Sequence, residues 1–590
     1  MAPQKRLFAL GSLAFCALTA YCDGERGMGF RPAPNRISVV RQGEGSSRKV
    51  RLTAQKNSTL PSKWDSREMG WVSRVKDQGN VGSCWTFAAC AVIETQLLKA
   101  GRGEWDLSEK NMANLHGFKP GFSSGGNNDM AAAYLLRWGG AVAETNDVYI
   151  GTKSNWTDSK PLVPALRIQN VVWVPDRSSS DDNDTLKKAI MDYGAVSTAI
   201  LWNFSYESTS NYYCNVDSGE GHAITVIGWD DNYPASNFNH TPAGDGAYLI
   251  KNSWGTGKGD KGYYWVSYYD TSFAMWGNSV FIPATDDENY DAVYGYDKLG
   301  YVGDINDGIV AAAFTSAWNE ELAAVGVYSY TENCPYEVSV YTNVTRTTST
   351  STLRPLNPLA GGALACTVSG TLATAGFTTV HLPNPVRLAD RTNFVVVYKQ
   401  NIASPGYIVS YSCDFEDGTP YSRVTASLGN TYWGSVSSRG KTSWTDLATE
   451  NAVACLKAYT RSTVAVTDAP SESDDGTAAL AWLASTNATL YAETAETFGA
   501  FAGLVGANGR SLYASWLAGF DPANASDGEL EVYISVTNNV PYLSWKPDLG
   551  QKSRKYTVYG TESLSPQNWQ PVEDMKSTSA KFFKVAISQP

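Results

Sequence analysis

From Cys84 to Ala100 the chain holds small and helix-forming residues without interruption, and Gly101 follows as a stop. Ala, Leu, Glu and Gln dominate, and the early turns are apolar on every side. A buried helix about 25 Å long is predicted there. Leu107-Ser108-Glu109-Lys110-Asn111-Met112 predicts a second helix with Ser108 as its N-cap. Further on the pattern alternates, which predicts strands over His222 to Trp229, Ala247 to Lys251 and Tyr263 to Tyr269. Helices first and an antiparallel sheet afterwards make an α+β domain of two lobes, spanning residues 60–283.

From about Asp286 the text changes to short β-type runs separated by turns. Ile309 to Phe314, Leu322 to Tyr330, Tyr336 to Tyr341, Phe377 to Leu382 and Asn393 to Tyr398 are examples. An all-β sandwich or jelly roll is expected over residues 284–460. Residues 461–476 read as a linker, ending in Pro470-Ser471-Glu472-Ser473-Asp474-Asp475-Gly476. An Ala-rich helical stretch to about Gly519 and strands from Leu530 to Ser588 make a small C-terminal helical-plus-β region over 477–590.

The 590 residues are too many for one core, so a multidomain protein is expected. A formal charge of −11 and the lack of any Lys/Arg-rich stripe argue against general nucleic-acid binding. The 19 Trp and 33 Tyr suit β-rich domains and surfaces that grip peptide or sugar. Lys5 and Arg6 precede the apolar stretch Leu7 to Ala20, which is short for a membrane span. Residues 1–22 therefore read as a signal peptide and the protein as secreted, extracellular or at a bacterial surface or periplasm. Lipid anchoring and a retained anchor helix are the alternatives. Residues 23–59 are polar and broken by Gly and Pro, a short leader without an amphipathic helical pattern, which could lie across a cleft as a mask. Of nine cysteines, Cys90, Cys214, Cys334, Cys366, Cys413 and Cys455 remain after the signal and Cys84 are set aside. They are either disulfide partners in an oxidising compartment or small core residues.

Chemistry enters with Cys84. It stands within Gln78-Gly79-Asn80-Val81-Gly82-Ser83-Cys84-Trp85 and opens the predicted helix. A helix N-terminus and a neighbouring imidazolium both favour a thiolate, the nucleophilic form. Only four histidines exist, at 116, 222, 240 and 381, and His222 begins a strand. If that strand and the one ending at Asn252 form a hairpin, its midpoint falls at Asn237, inside a polar loop punctuated by Pro and Gly. Pairing centred there sets His222 beside Asn252. The Asn252 amide oxygen then fixes one imidazole nitrogen and leaves the other for Cys84. Gln78 adds an amide donor for an oxyanion, which completes the parts for acyl transfer through a thioester.

These stretches, with Leu60-Pro61-Ser62-Lys63-Trp64-Asp65 at the domain's start, resemble the papain-like cysteine peptidases of bacterial exported type. The resemblance implies a catalytic set of Cys84, His222, Asn252 and Gln78. It also implies that Trp254 shields the Asn–His hydrogen bond and that Gly125-Gly126 lines the cleft wall where substrate backbone pairs. No metal or other cofactor is implied. Val81 stands where many relatives have cysteine, so their disulfide is not expected, and Gly221 replaces an acidic residue before the histidine. The β-rich stretch loosely resembles the lectin-like domains that follow such peptidases. Asp181-Asp182-Asn183-Asp184 reads as an acidic helix start rather than a calcium loop, and Asp521-Pro522-Ala523-Asn524 as a turn. An exported cysteine endopeptidase acting on protein or peptide substrates is expected. The rivals are an adhesion or glycan-binding surface protein whose first domain hydrolyses nothing, and an enzyme that passes the acyl group to an amine.

Overall fold

The computed structural model describes residue 26, residues 28–34, and residues 60–462 apart from 152–158, 163, 286–287, 289, 318, 347–355, 390 and 404. It also describes five backbone strands between Glu531–Thr537 and Phe582–Ser588, within the region where C-terminal strands were expected. The signal stretch, the linker after Ser462, the Ala-rich helix and the Asp521 turn lie outside the described residues.

The first helix, α1, spans Cys84–Lys99. It ends as predicted because Gly101 takes φ +69°. That lets Arg102 N–H reach the Leu97 carbonyl at 2.9 Å. The second, α2 (Glu109–Leu115), is capped by Ser108, whose Oγ accepts the Asn111 N–H at 3.1 Å. Two further helices are α3 (Asn128–Leu136), capped by Asn127, and α4 (Asp184–Tyr193). The acidic run thus does open a helix. Asp182 accepts the Ser178 N–H at 3.0 Å and its hydroxyl at 2.7 Å.

Four antiparallel strands, Val196–Trp202, Glu220–Asp230, Ala247–Lys251 and Tyr263–Ser267, form the second lobe. The predicted hairpin exists, but its register differs from the one centred on Asn237. Thr225 pairs with Lys251 and Val226 with Ile250. A bulge then shifts the ladder, so that Gly228 pairs with Leu249. The residue opposite His222 is Ile200, on the other flank, and Asn252 lies just past its strand's end.

The sheet does not stop with this lobe. Asn278–Pro283 and Ile168–Val174 carry it to Gly376–Leu388, Glu320–Ser329 and Lys457–Ser462, so one sheet of 13 strands runs through both domains. The join is Val172 to Gly376 and Val171 to Phe377. Gly376 is required there: at φ +117°, a Cβ would lie 2.0 Å from the Val171 carbonyl oxygen. Trp173 stacks on Tyr328 and Tyr330, with centroids 5.6 and 6.1 Å away, and the buried core is continuous from Cys84 to Tyr459. A six-stranded sheet packs over the far strands through Val338 and Val396 against Val325 and Val380, giving the expected sandwich. The seven described cysteines are unbonded; Cys90, Cys214, Cys334 and Cys455 are buried core residues.

Candidate active site

Cys84 is the first residue of α1 and is fully buried, with Sγ accepting the Ala223 N–H at 3.2 Å. Ser83, before it, makes no side-chain cap to the helix; its Oγ meets the Tyr149 hydroxyl at 2.8 Å. The amides of the first turn therefore point their positive end at the sulfur's end of the helix.

Across from α1, His222 Nε2 lies 2.8 Å from Asn252 Oδ1. The same oxygen accepts the Ser253 N–H at 2.8 Å, which fixes it as the carbonyl end of the amide. Nε2 is therefore the protonated nitrogen and Nδ1 carries the lone pair. Nδ1 makes no hydrogen bond among the described residues. Burial pushes the imidazole down to about 4, against the pull of the Asn252 hydrogen bond. Trp254 covers this pair, its ring stacked on the imidazole at 4.6 Å and 16°.

Gln78 is buried beside them. Its Nε2–H donates to the Val81 carbonyl at 2.6 Å, its Oε1 accepts the Ser253 hydroxyl, and its backbone N–H reaches the Ser253 carbonyl at 2.8 Å. One amide hydrogen is thus spent on the local turn and a second remains on the nitrogen. Of the other histidines, His116 packs edge-on against Trp85, and His240 lies against Tyr206. His381 meets the Tyr290 hydroxyl in the second domain.

Gly125 and Gly126 form the opposite wall, and the leader lies against it. Gly126 N–H donates to the Gly29 carbonyl and Arg31 N–H to the Gly126 carbonyl, both at 2.9 Å, a parallel pairing of Phe30 with Gly126. The Gly221 carbonyl accepts from Gly29 and Phe30 at 3.1 and 2.9 Å. Close approach explains the glycines. A Cβ on Gly126 would sit 2.5 Å from the Trp85 ring, and one on Gly221 would sit 2.3 Å from the Phe30 carbonyl oxygen. Met28 and Phe30 are buried. Arg26 places its guanidinium 5.3 Å from the Trp254 ring and 4.7 Å from Phe204, and pairs with Glu207 through 2.8 and 2.6 Å contacts.

Sequence reading missed this occupant's contacts, along with Gly221 as an acceptor and Tyr149, whose hydroxyl donates to the Gln78 carbonyl at 2.8 Å. Two apolar residues set between glycines in a polar leader, Gly27-Met28-Gly29-Phe30, were the available signal. Nothing around Tyr149 marks it.

Residues 60–281 match the family described as papain family cysteine protease, and residues 293–460 match a lectin like domain. The first domain is a papain-family cysteine protease domain. A cathepsin L-like peptidase of Aedes aegypti is 31% identical over 214 residues, 35% of this chain and 59% of that protein. Cathepsin K of Gallus gallus is 31% identical over 213 residues, with the same shares covered. The chain thus spans about three fifths of these curated relatives. Among solved structures, the cysteine protease and lectin-like domains of Cwp84, a surface layer associated protein of Clostridium difficile, share 22% identity at a TM-score of 0.56. The similarity covers 74% of this chain and 93% of that one. Both the papain-family domain and the lectin-like domain behind it therefore have the same fold as a solved pair.

Proposed function

We propose that the chain is an exported cysteine endopeptidase in which Cys84, His222, Asn252 and Gln78 hydrolyse peptide bonds. The observation that carries this reading is Cys84 at the α1 N-terminus across from a His222 held by Asn252 at 2.8 Å. With Nε2 tied to Asn252, Nδ1 takes the thiol proton and Sγ attacks the peptide carbonyl. The second Gln78 amide hydrogen and the Cys84 N–H hold the oxyanion. His222 returns its proton to the leaving amine, then activates the water that splits the thioester. Residues 28–31 mask the cleft until they are removed, since they hold the Gly126 and Gly221 backbone groups that a substrate would use. Export is supported by Lys5, Arg6 and the apolar stretch after them, and by the surface-layer association of the Clostridium difficile protein.

The test is Cys84→Ala: the parental chain should cut a denatured protein substrate, and the variant should not. A variant that cuts at the parental rate defeats the reading, as does activity that survives alkylation of Cys84. Product masses separate hydrolysis from acyl transfer to an amine. The lectin-like match favours a glycan or cell-surface ligand for the second domain. A glycan array probed with the full Cys84→Ala chain should show specific binding.

A further inference from the structure

One contact of the leader belongs to neither the catalytic residues nor the first domain. Arg31 Nη2 donates to Asp417 Oδ2 at 2.8 Å and to Thr419 Oγ1 at 3.2 Å, and its Cζ lies 3.7 Å from the centre of the Phe415 ring. All three partners sit on a hairpin of the lectin-like domain, formed by Cys413–Asp414 and Pro420–Ser422.

The hairpin is built to hold this shape. Asp417 Oδ1 accepts the Thr419 N–H at 2.9 Å and its hydroxyl at 2.6 Å, which orients the carboxylate and leaves Oδ2 for a cation. Thr419, ahead of Arg31, holds the carboxyl below its ordinary range. Phe415 and Gly418 close the turn, with Phe415 N–H to the Thr419 carbonyl at 2.8 Å and Gly418 N–H to the Phe415 carbonyl at 2.9 Å. Tyr421 anchors the hairpin to the peptidase: it is fully buried between Phe118 and Phe415, with ring centroids 4.8 and 4.9 Å away. Lys119 N–H donates to the Tyr421 carbonyl at 2.9 Å. Asn127, the α3 cap, donates to the Arg31 carbonyl at 2.9 Å and accepts from the Tyr421 hydroxyl at 3.4 Å.

A carboxylate with one oxygen pre-set, beside an aromatic face, recognises a guanidinium or ammonium. Its position is fixed relative to the Gly126 backbone edge, because Arg31 N–H bonds that edge while its side chain fills the hairpin. An extended chain that pairs with Gly126 in the leader's direction and register sends the side chain after its paired residue toward the same place. We propose that Phe415, Asp417 and Thr419 form a substrate subsite of the peptidase that takes an Arg or Lys side chain at one fixed distance from the cleaved bond. The lectin-like domain then helps choose the substrate rather than only carrying the enzyme. The inference rests on the peptidase reading above.

The full chain, its leader removed, is given a peptide library, and products are sequenced by mass spectrometry, with Cys84→Ala as blank. Arg and Lys should be enriched at one position about tenfold, the size expected for a partly exposed charge pair with an aromatic face. In Asp417→Asn the ratio of kcat/KM for Arg over Ala at that position should fall about tenfold. Asp417→Lys should turn the preference toward Glu and Asp. An Arg-to-Ala ratio unchanged in Asp417→Asn overturns the proposal. So does a variant that only shortens the lag before activation, which assigns the hairpin to leader retention alone. If neither the parental chain nor the blank cuts anything, the peptidase reading falls, and this subsite with it.

Discussion

The Trp254 indole lies flat on the His222 imidazole, 4.6 Å between ring centres and 16° from parallel. His222 and Asn252 are both buried, so the hydrogen bond between them operates in a low dielectric and keeps one tautomer. Removing the ring in Trp254→Ala exposes that bond, and the loss of about 1–2 kcal/mol of ordering should lower kcat/KM about tenfold. Trp254→Phe keeps a covering ring and should recover most of it. Equal kinetics for parent and Trp254→Ala would dispose of the shielding role.

Gln78→Ala should lower kcat by about 10²–10³ while leaving KM within a few-fold, the pattern for a donor used only in the transition state. Because Gln78 also bonds Val81 and Ser253, thermal unfolding of the variant must be measured beside its kinetics. A rise in KM at constant kcat would assign Gln78 to substrate binding instead.

Gly29 takes φ +145°, and a Cβ there would lie 2.4 Å from the Gly82 carbonyl carbon. Gly29→Val therefore cannot keep the leader seated. The full chain carrying it should show activity at once, and the parent only after a lag. An unchanged lag would mean that these residues do not mask the cleft.

Acid should loosen the covered cleft. Burial depresses His222 to about 4, and whatever part of that burial the leader supplies is returned toward the ordinary 6.5 when the cleft opens. Between these values the open state binds a proton that the closed one refuses. The closed state's advantage is thus whole above pH ~6.5, and it declines as pH falls toward 4. In Cys84→Ala, which cannot cut itself, hydrogen exchange of residues 28–31 should accelerate across that window. Protection that stays flat from neutral pH to 4 would contradict the assignment.

Trp173 ties the two domains through Tyr328 and Tyr330. Trp173→Ala should cost about 3–5 kcal/mol. Because the core and sheet are shared, calorimetry should show peptidase and lectin-like domains melting together. Two separated transitions in the parent would show that the joint is weak.

Local patterns carried much of this fold. The apolar run from Cys84, the Gly101 stop and the Ser108 cap are short-range features, and each was legible because a helix is decided by its own turns. Strand ends were legible to within a few residues. Register was not: the bulge after Val226 depends on how Gly228 meets Trp64, where a Cβ would be 2.3 Å from the carbonyl oxygen. His222 and Asn252 still meet, since a side chain past a strand end can turn inward.

The sequence by itself determined which residues could do the chemistry, because Gln-Gly-x-x-Gly-Ser-Cys-Trp, Gly-His-Ala and Asn-Ser-Trp-Gly are contiguous words. Only the tertiary structure decided what lies across the cleft. Phe30 against Gly126, Arg31 against Asp417 and Val172 against Gly376 join residues far apart in the chain. Such contacts follow from surfaces that complement one another only after each has folded, and no local pattern encodes that fit.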